Sequence, residues 1–231
     1  MSKFFVSAVI VAAGNSSRMG LGKSKQFIDL LGEPVISRTL NAFEKSPVID
    51  SVVVVCREVD RTEIENIINK KGYKKVRALT HGGAERADSV KNGIAECDER
   101  TTHYAIHDGA RPLISGEDIT AVVNEAFKYG AAALGTYVTD TIKVVNENNE
   151  IVSTPARSEL RAVQTPQVFE KELYLRALEN AVNNNEPVTD DCKLIESLGE
   201  KVRIVLGSET NIKLTTQNDI KIAKAILGCR I

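Results

Sequence analysis

Phe4 to Gln26 reads F-F-V-S-A-V-I-V-A-A-G-N-S-S-R-M-G-L-G-K-S-K-Q, an apolar run that turns abruptly into a glycine-rich, basic stretch. The run from Phe4 to Ala12 is rich in Val, Ala and Ile, the composition of a strand buried on both faces. A loop of small residues directly after such a strand looks like the first turn of an α/β domain. Small residues let backbone N–H groups come close to phosphate oxygens, and Arg18, Lys23 and Lys25 supply charge where phosphates would sit. The same residues also suit a plain solvated loop. Two better-known phosphate motifs fail here. G-x-x-x-x-G-K-[ST] needs a glycine where Ser17 stands, and G-x-G-x-x-G meets Ser16 at its second glycine.

Outward from this unit the pattern repeats. Short apolar runs at Ser51 to Cys56, Val76 to Leu79, Tyr104 to Ile106 and Ala131 to Val138 predict strands. Between them, helical spacing predicts helices over Pro34 to Lys45, Asp60 to Lys71, Ala87 to Cys97 and Glu117 to Tyr129, the last capped by Ser115 with Asp118 three residues on. Strand and helix in alternation imply a doubly wound, mainly parallel α/β sheet, with ligands bound beyond the carboxyl ends of its strands. The alternation falters between Thr139 and Pro166, where T-I-K-V-V, N-E-N-N-E and I-V-S-T read as a β-hairpin. It resumes with helices near Lys171 to Asn184 and Asp190 to Leu198, a strand at Val202 to Leu206, and a helix capped near Thr216 and running to Leu227. The expectation is one domain over residues 1–231 with a hairpin arm at about 139–160.

Composition narrows the function classes. At 231 residues the chain can enclose one large core, and 42% hydrophobic with 26% charged residues argue against disorder. A net charge of -1 gives no chain-wide attraction to DNA or RNA. The one markedly apolar stretch near the start is far shorter than the ~20 residues a bilayer requires, so neither a membrane nor a nucleic acid is an expected partner. The 4 cysteines are far apart and lack C-x-x-C spacing, which argues against a disulfide framework or a zinc site. The expected location is cytoplasmic.

Two further strand ends carry candidate chemistry. In H-G-G-A-E-R-A-D-S-V, Gly82 and Gly83 could let the main chain read a flat base edge, with Ser89 adding a hydroxyl, or could form an ordinary strand-to-helix turn. In I-H-D-G-A-R-P, Asp108 stands where a magnesium-bound triphosphate wants a hard oxygen ligand, or pairs structurally with Arg111. His103 and His107 flank a strand, about 13 Å apart by strand rise, so they do not form a metal pair. Thr141, Thr165 and Thr189 with Arg111, Arg157 and Lys213 could form a second anion site, although Thr189 also suits a helix cap and Thr165 before Pro166 an extended turn.

Taken in order, A-A-G-N-S-S-R-M-G, S-K-Q, G-G-x-E-R-A-D-S-V, H-D-G-A-R-P, D-T-I-K, Q-T-P-Q-V-F, T-D-D and G-S-E-T-N-I-K-L-T-T cover nearly the whole length. This series resembles the 2-C-methyl-D-erythritol 4-phosphate cytidylyltransferase family of nucleotidyltransferases, from the non-mevalonate isoprenoid pathway. The resemblance implies a homodimer whose arm embraces the second subunit. It also implies catalytic roles for Arg18, Lys25, Arg157 and Lys213, with Arg18 and Lys25 on the phosphates of CTP. The main chain near Ala13, Gly14 and Gly82, with Ser89, would hold the cytidine, and Asp108 would lie near Mg2+. Arg111, Thr141, Arg157, Thr165, Thr189 and Lys213 would hold a sugar-alcohol phosphate. This chain has Ser24 where the family often has Pro, Ala84 where some members carry an acid, and Gly109 in place of Ala or Ser. A ribitol 5-phosphate cytidylyltransferase is the nearest alternative.

The implied chemistry needs no base, because a phosphate monoester with a second pKa near 6 is already an ionised nucleophile at neutral pH. The difficulty is bringing two anions together, which fixed cations relieve. Lys25→Ala is therefore expected to fold yet lose about 10²-fold or more in rate. Normal steady-state turnover by that variant removes the assignment.

Overall fold

The computed structural model describes residues 4–14, 24–184 and 190–229. Nine strands occur in chain order among them: β1 (Val6–Val11), β2 (Ser51–Cys56), β3 (Val76–His81), β4 (His103–Asp108), β5 (Ala131–Tyr137), β6 (Val144–Val145), β7 (Ile151–Ser153), β8 (Arg161–Glu170) and β9 (Arg203–Leu206). Between them run α1 (Val35–Lys45), α2 (Arg61–Lys71), α3 (Arg86–Ala95), α4 (Gly116–Tyr129), α5 (Lys171–Asn184), α6 (Asp191–Ser197) and α7 (Gln217–Gly228). Seven strands form one sheet in the order β3-β2-β1-β4-β8-β5-β9, while β6 and β7 pair with each other in a separate two-stranded ladder.

Side-chain alternation along the strands divides the core between the two faces of the sheet. Ala8 and Ile10 of β1 and Ala105 of β4 pack with Ile36, Leu40 and Phe43 of α1 and with Ile119, Val122 and Ala126 of α4. The neighbouring residues Tyr104 and Ile106 turn the other way, onto Val90 of α3, Tyr174 and Ala177 of α5, and Ile195 of α6. Helix α3 approaches closely because Gly93 has no side chain; a Cβ there would collide with Val9 and lie 2.7 Å from Val55. The caps use the residue types that suit them. Ser115 Oγ accepts from the Asp118 amide at 3.0 Å, and Thr216 forms a capping box with Asp219. Helix α6 is capped by Asp190, whose side chain accepts from the Lys193 amide.

The sheet is parallel from β3 to β4 and again between β5 and β9, but β8 runs antiparallel to both its neighbours. Here the structure corrects the sequence reading. The sequence places Q-T-P-Q among loop positions and offers an extended turn at Thr165 before Pro166. Instead these residues lie inside a 10-residue strand at the middle of the sheet. Proline is tolerated there because the strand is interrupted: β8 pairs with β4 over Gln167 to Glu170, and with β5 over Gln167 to Phe169 and Arg161 to Val163. Residues 164–166 have no partner in either ladder, so the missing N–H of Pro166 breaks no rung.

Strands β1, β2 and β3 progress to one side of β1, whereas β4 lies on its other side. The strands stay paired to their ends, Val11 against Asp108, but the chain leaving them goes to opposite sides and opens a crevice where the winding reverses.

At the opposite end of β4, His103 is buried edge-on against the stacked rings of Phe4 and Phe127, with centroids 5.3 and 5.0 Å away. Burial pushes its pKa down to about 4. The unfolded chain, whose histidine has a pKa near 6.5, thus binds a proton that the native state refuses. Stability should be complete above about pH 6.5 and fall as pH drops towards 4, by at most about 1.4 kcal/mol per pH unit from this residue. Urea unfolding at pH 7 and pH 5 measures the slope. His103→Phe should flatten it, and an unchanged slope counts against the assignment.

Candidate active site

The crevice is a cleft of about 340 Å³. Ala13 and Gly14 reach it from the end of β1, Lys25 and Gln26 from the short turn before α1, Arg86 and Ser89 from the first turns of α3, Asp108 from the end of β4, and Lys213 from the loop before α7. A wider hollow of about 930 Å³ lies between α1 and α4, lined by such residues as Ala42, Pro47 and Ile114. It shares no lining residue with the smaller cleft and has Lys45 and Glu117 as its charged groups, whereas the smaller cleft gathers Lys25, Glu85, Arg86, Asp108 and Lys213.

Close backbone approach shapes the floor. A Cβ on Gly82 would collide with that of Ala13 and lie 3.2 Å from Ser89 Oγ, so glycine lets the end of β3 reach the end of β1. The Gly83 amide donates to Ser89 Oγ at 3.0 Å, and that hydroxyl donates to the Glu85 carbonyl at 3.1 Å. Lys25 is tied in by a 3.5 Å contact from its Nζ to the Leu214 carbonyl, and Gln26 donates to the Ala12 carbonyl at 3.4 Å.

Asp108 is the electrostatic centre. Lys213 Nζ lies 2.8 Å and Arg111 Nε 3.6 Å from its Oδ2, while Arg86 Nε lies 3.5 Å from its Oδ1. Burial opposes ionisation of this carboxyl, but Lys213, Arg86 and Arg111 outweigh it and hold its pKa well below the ordinary carboxylate range. The pairing of Asp108 with Arg111 exists, yet the tighter partner is Lys213. Lys25, Lys213 and Arg86, with Arg111 behind them, stand against the carboxylates of Asp108, Glu85 and Asp191, four cations to three anions, which leaves a cationic surplus suited to phosphate groups.

Behind Asp108 a hydrogen-bonded chain fixes its backbone. The Arg111 carbonyl can only accept, so His107 Nε2, 3.3 Å away, carries the proton. His107 Nδ1 is then an acceptor, and the Thr165 hydroxyl 3.1 Å away donates to it. The oxygen of that hydroxyl in turn accepts from the Asp108 amide at 3.0 Å. Burial pushes the His107 pKa down to about 3, keeping the ring neutral as this chain requires. Asn211 completes the frame, donating to Gln164 Oε1 at 3.1 Å and the Thr165 carbonyl at 3.0 Å, while its own carbonyl accepts from Arg111 at 2.7 Å. The unpaired stretch of β8 is thus bonded to the loops that carry Asp108 and Lys213.

Of the residues singled out in the sequence, Ala13, Gly14, Lys25, Ser89, Asp108 and Lys213 line the cleft, and Gly82 packs beneath Ala13. Arg111 and Thr165 stand behind the cleft, with Thr165 buried. Thr141 and Arg157 are exposed on the arm, in contact with each other at 3.5 Å, and are not part of the cleft lining of their own chain. Arg18, Lys23 and Thr189 lie outside the described residues. Sequence reasoning missed Arg86 and Asp191, which pair at 2.6 Å. Both stand inside quoted motifs, G-G-A-E-R and T-D-D, and only their lack of a recognisable spacing hid them.

A cation-rich cleft at the winding reversal of a doubly wound sheet marks an α/β protein of the class that binds phosphorylated ligands at its strand ends. Comparison with known proteins narrows that class. Residues 6–229 match the family model described as 2-C-methyl-D-erythritol 4-phosphate cytidylyltransferase. Proteins of that name from Alkaliphilus metalliredigens and Caldanaerobacter subterraneus subsp. tengcongensis are 43% and 44% identical, covering 97% and 96% of this chain and 94% and 98% of their own lengths. Among solved structures, the 4-diphosphocytidyl-2C-methyl-D-erythritol synthase of Anaerococcus prevotii superposes with a TM-score of 0.87 at 33% identity, covering 97% of this chain and 99% of its own. The cytidylyltransferase of Thermus thermophilus gives 0.76 at 28% identity, covering 96% and 98%. The chain belongs to the 2-C-methyl-D-erythritol 4-phosphate cytidylyltransferase family.

Removing the Thr165 hydroxyl tests the buried frame. Thr165→Val leaves the Asp108 amide without its acceptor and His107 Nδ1 without its donor, and should lower stability by about 1–3 kcal/mol in chemical denaturation. A variant as stable as the parent contradicts the hydrogen-bonded chain.

Proposed function

We infer that this enzyme transfers the cytidylyl group of CTP to 2-C-methyl-D-erythritol 4-phosphate, giving 4-diphosphocytidyl-2-C-methyl-D-erythritol and pyrophosphate. Family membership supports the reaction. The observation that carries the chemistry is the meeting of Lys25, Lys213 and Arg86 around Asp108 at the crevice of the sheet.

A phosphate oxygen of the sugar alcohol attacks the α-phosphorus of CTP, and the bond to the bridging oxygen of the leaving pyrophosphate breaks. The attacking oxygen is already ionised, so the site needs positioned positive charge rather than a base. Lys25, with Arg18, stabilises the phosphates of CTP and the departing pyrophosphate. The main chain of Ala13, Gly14 and Gly82, with Ser89, holds the cytidine. Lys213 aims the attacking phosphate, with Arg111, Thr165 and Thr189 supporting the sugar-phosphate end.

Mg2+ fits this site only as a passenger of the triphosphate. Among the described residues no group of three or more His, Cys, Asp or Glu side chains could hold a metal ion. The one carboxylate at the centre, Asp108, is already balanced by cations, which disfavours a resident dication and suits one protein oxygen offered to a metal that arrives with phosphates. Mg2+ bound there supplies neutralisation of the phosphate charge.

The arm completes the picture as a homodimer element. Its two short strands carry exposed Val144, Val145, Ile151 and Val152, with exposed Ile142 just before them, and an isolated two-stranded ladder is at best marginal in water. A second copy covering that surface would bring Thr141 and Arg157 to the other subunit's sugar-phosphate site. Four unpaired cysteines suit the reducing cytoplasm.

Pyrophosphate release from CTP is the decisive assay. It should require 2-C-methyl-D-erythritol 4-phosphate, stop when EDTA removes the metal, and yield the diphosphocytidyl product by mass. Turnover with ribitol 5-phosphate but not with the erythritol phosphate overturns the reading.

A further inference from the structure

Arg86, on the cleft wall, links α3 to α6 and, through Asp191, to α5. It is the first residue of α3, held there by a capping box between Glu85 and Asp88. Its guanidinium engages two carboxylates with separate nitrogens: Nη1 lies 2.6 Å from Asp191 Oδ2, and Nε lies 3.5 Å from Asp108 Oδ1. Asp191, the fully buried first residue of α6, takes the Tyr174 hydroxyl of α5 on its other oxygen at 2.6 Å. On the far side of Asp108, Lys213 binds Oδ2 at 2.8 Å. The groups form one continuous relay: Tyr174, Asp191, Arg86, Asp108, Lys213.

The two ends of this relay differ in freedom. Tyr174 and Asp191 are buried, and their positions are set by packing of α5 against α6. Lys213 stands on a loop with its side chain 39% exposed, and its ammonium lies 2.8 Å from Asp108 Oδ2. Lys213 and Arg111 both face Oδ2 of Asp108, so the 3.5 Å contact from Arg86 is the one that fixes Oδ1 and with it the carboxylate's last torsion. A planar guanidinium presents its N–H groups in a fixed fork, which lets one side chain bond Asp191 and orient Asp108 together; an ammonium is a point charge without that geometry.

We propose that Arg86 is a positioning residue for the transfer reaction, anchoring Asp108 to Asp191 so that Lys213 is held where the attacking sugar phosphate must lie. The proposal rests on the reaction inferred above. It adds a residue that binds the two halves of the site together and acts on one substrate more than the other. In the inferred reaction the nucleotide is held by the main chain at Ala13, Gly14 and Gly82 and by Lys25, whose Nζ lies 3.5 Å from the Leu214 carbonyl beside Lys213; the relay itself ends on Lys213 and so bears most directly on the sugar-phosphate end.

Arg86→Lys keeps the charge and loses the fork. Steady-state kinetics of the full-length enzyme, with each substrate varied in turn and circular dichroism to confirm folding, should show kcat/KM for the sugar phosphate falling roughly 10- to 10²-fold while KM for CTP stays within about twofold. Arg86→Met leaves Asp191 buried without a cation and is expected to fold poorly; combined with Asp191→Asn, which still accepts from Tyr174, folding should recover while the selective loss persists. Wild-type constants in a folded Arg86→Lys or double variant, or an equal rise in KM for both substrates, overturn the proposal. If Arg86→Lys does not fold, the double variant decides by the same criterion. If the wild-type enzyme run alongside forms no product from the two substrates, the inferred reaction falls instead, and the two failures are thereby told apart.

Discussion

The carboxylate of Asp108 is the point on which the site depends. It is an acid at the end of a central strand, almost withdrawn from water, and that position is tenable only because Lys213, Arg86 and Arg111 surround it. Each of those cations comes from a different segment: the loop before α7, the start of α3 and the turn after β4. A single buried charge thus draws two distant stretches of chain, at Arg86 and Lys213, to the turn that carries Arg111. Isolated buried ion pairs contribute little to stability, because desolvation offsets attraction, and their retention makes better sense as a way of specifying geometry. Here the geometry specified is that of a cleft in which fixed positive charge exceeds negative.

The second constraint comes from strand β8. An antiparallel strand inserted between β4 and β5 could have closed the sheet with continuous ladders, yet residues 164–166 are left without rungs. Their polar groups are satisfied by Asn211, Ser208, the Asp108 amide and His107 instead. Because buried polar groups demand partners, a gap in the ladder forces the neighbouring loops to supply them. The interruption thereby docks the Lys213 loop against the end of β4, and a proline that would weaken an ordinary central strand costs no pairing.

Much of this was legible in the sequence, for reasons that can be named. The apolar run ending at Ala12 followed by small residues announced β1 and its loop, the alternation of periods announced the wound sheet, and Ser115 and Thr216 marked helix starts through local hydrogen bonds. These signals are short-range. Strand β8 was hidden because Pro166 reads as a breaker, and only the register of two neighbouring strands reveals that it falls in a gap. Lys25, Asp108 and Lys213 were recoverable because they stand at strand ends or in loops within recognisable motifs. Arg86 was not, since its meaning lies in a partner 105 residues away, and no spacing rule relates an arginine opening one helix to an aspartate opening another.

The concentration of cations in one crevice of a molecule whose overall charge is -1 has a consequence for encounter with substrates. With almost no monopole, the enzyme exerts little pull at long range, and what remains is a dipolar field that decays more steeply with distance. At physiological ionic strength it is screened within about 8 Å, so incoming nucleotides feel it only at the rim. Capture is therefore governed by ordinary diffusion up to the threshold of the crevice, and guidance begins only there, turning the phosphate end inward.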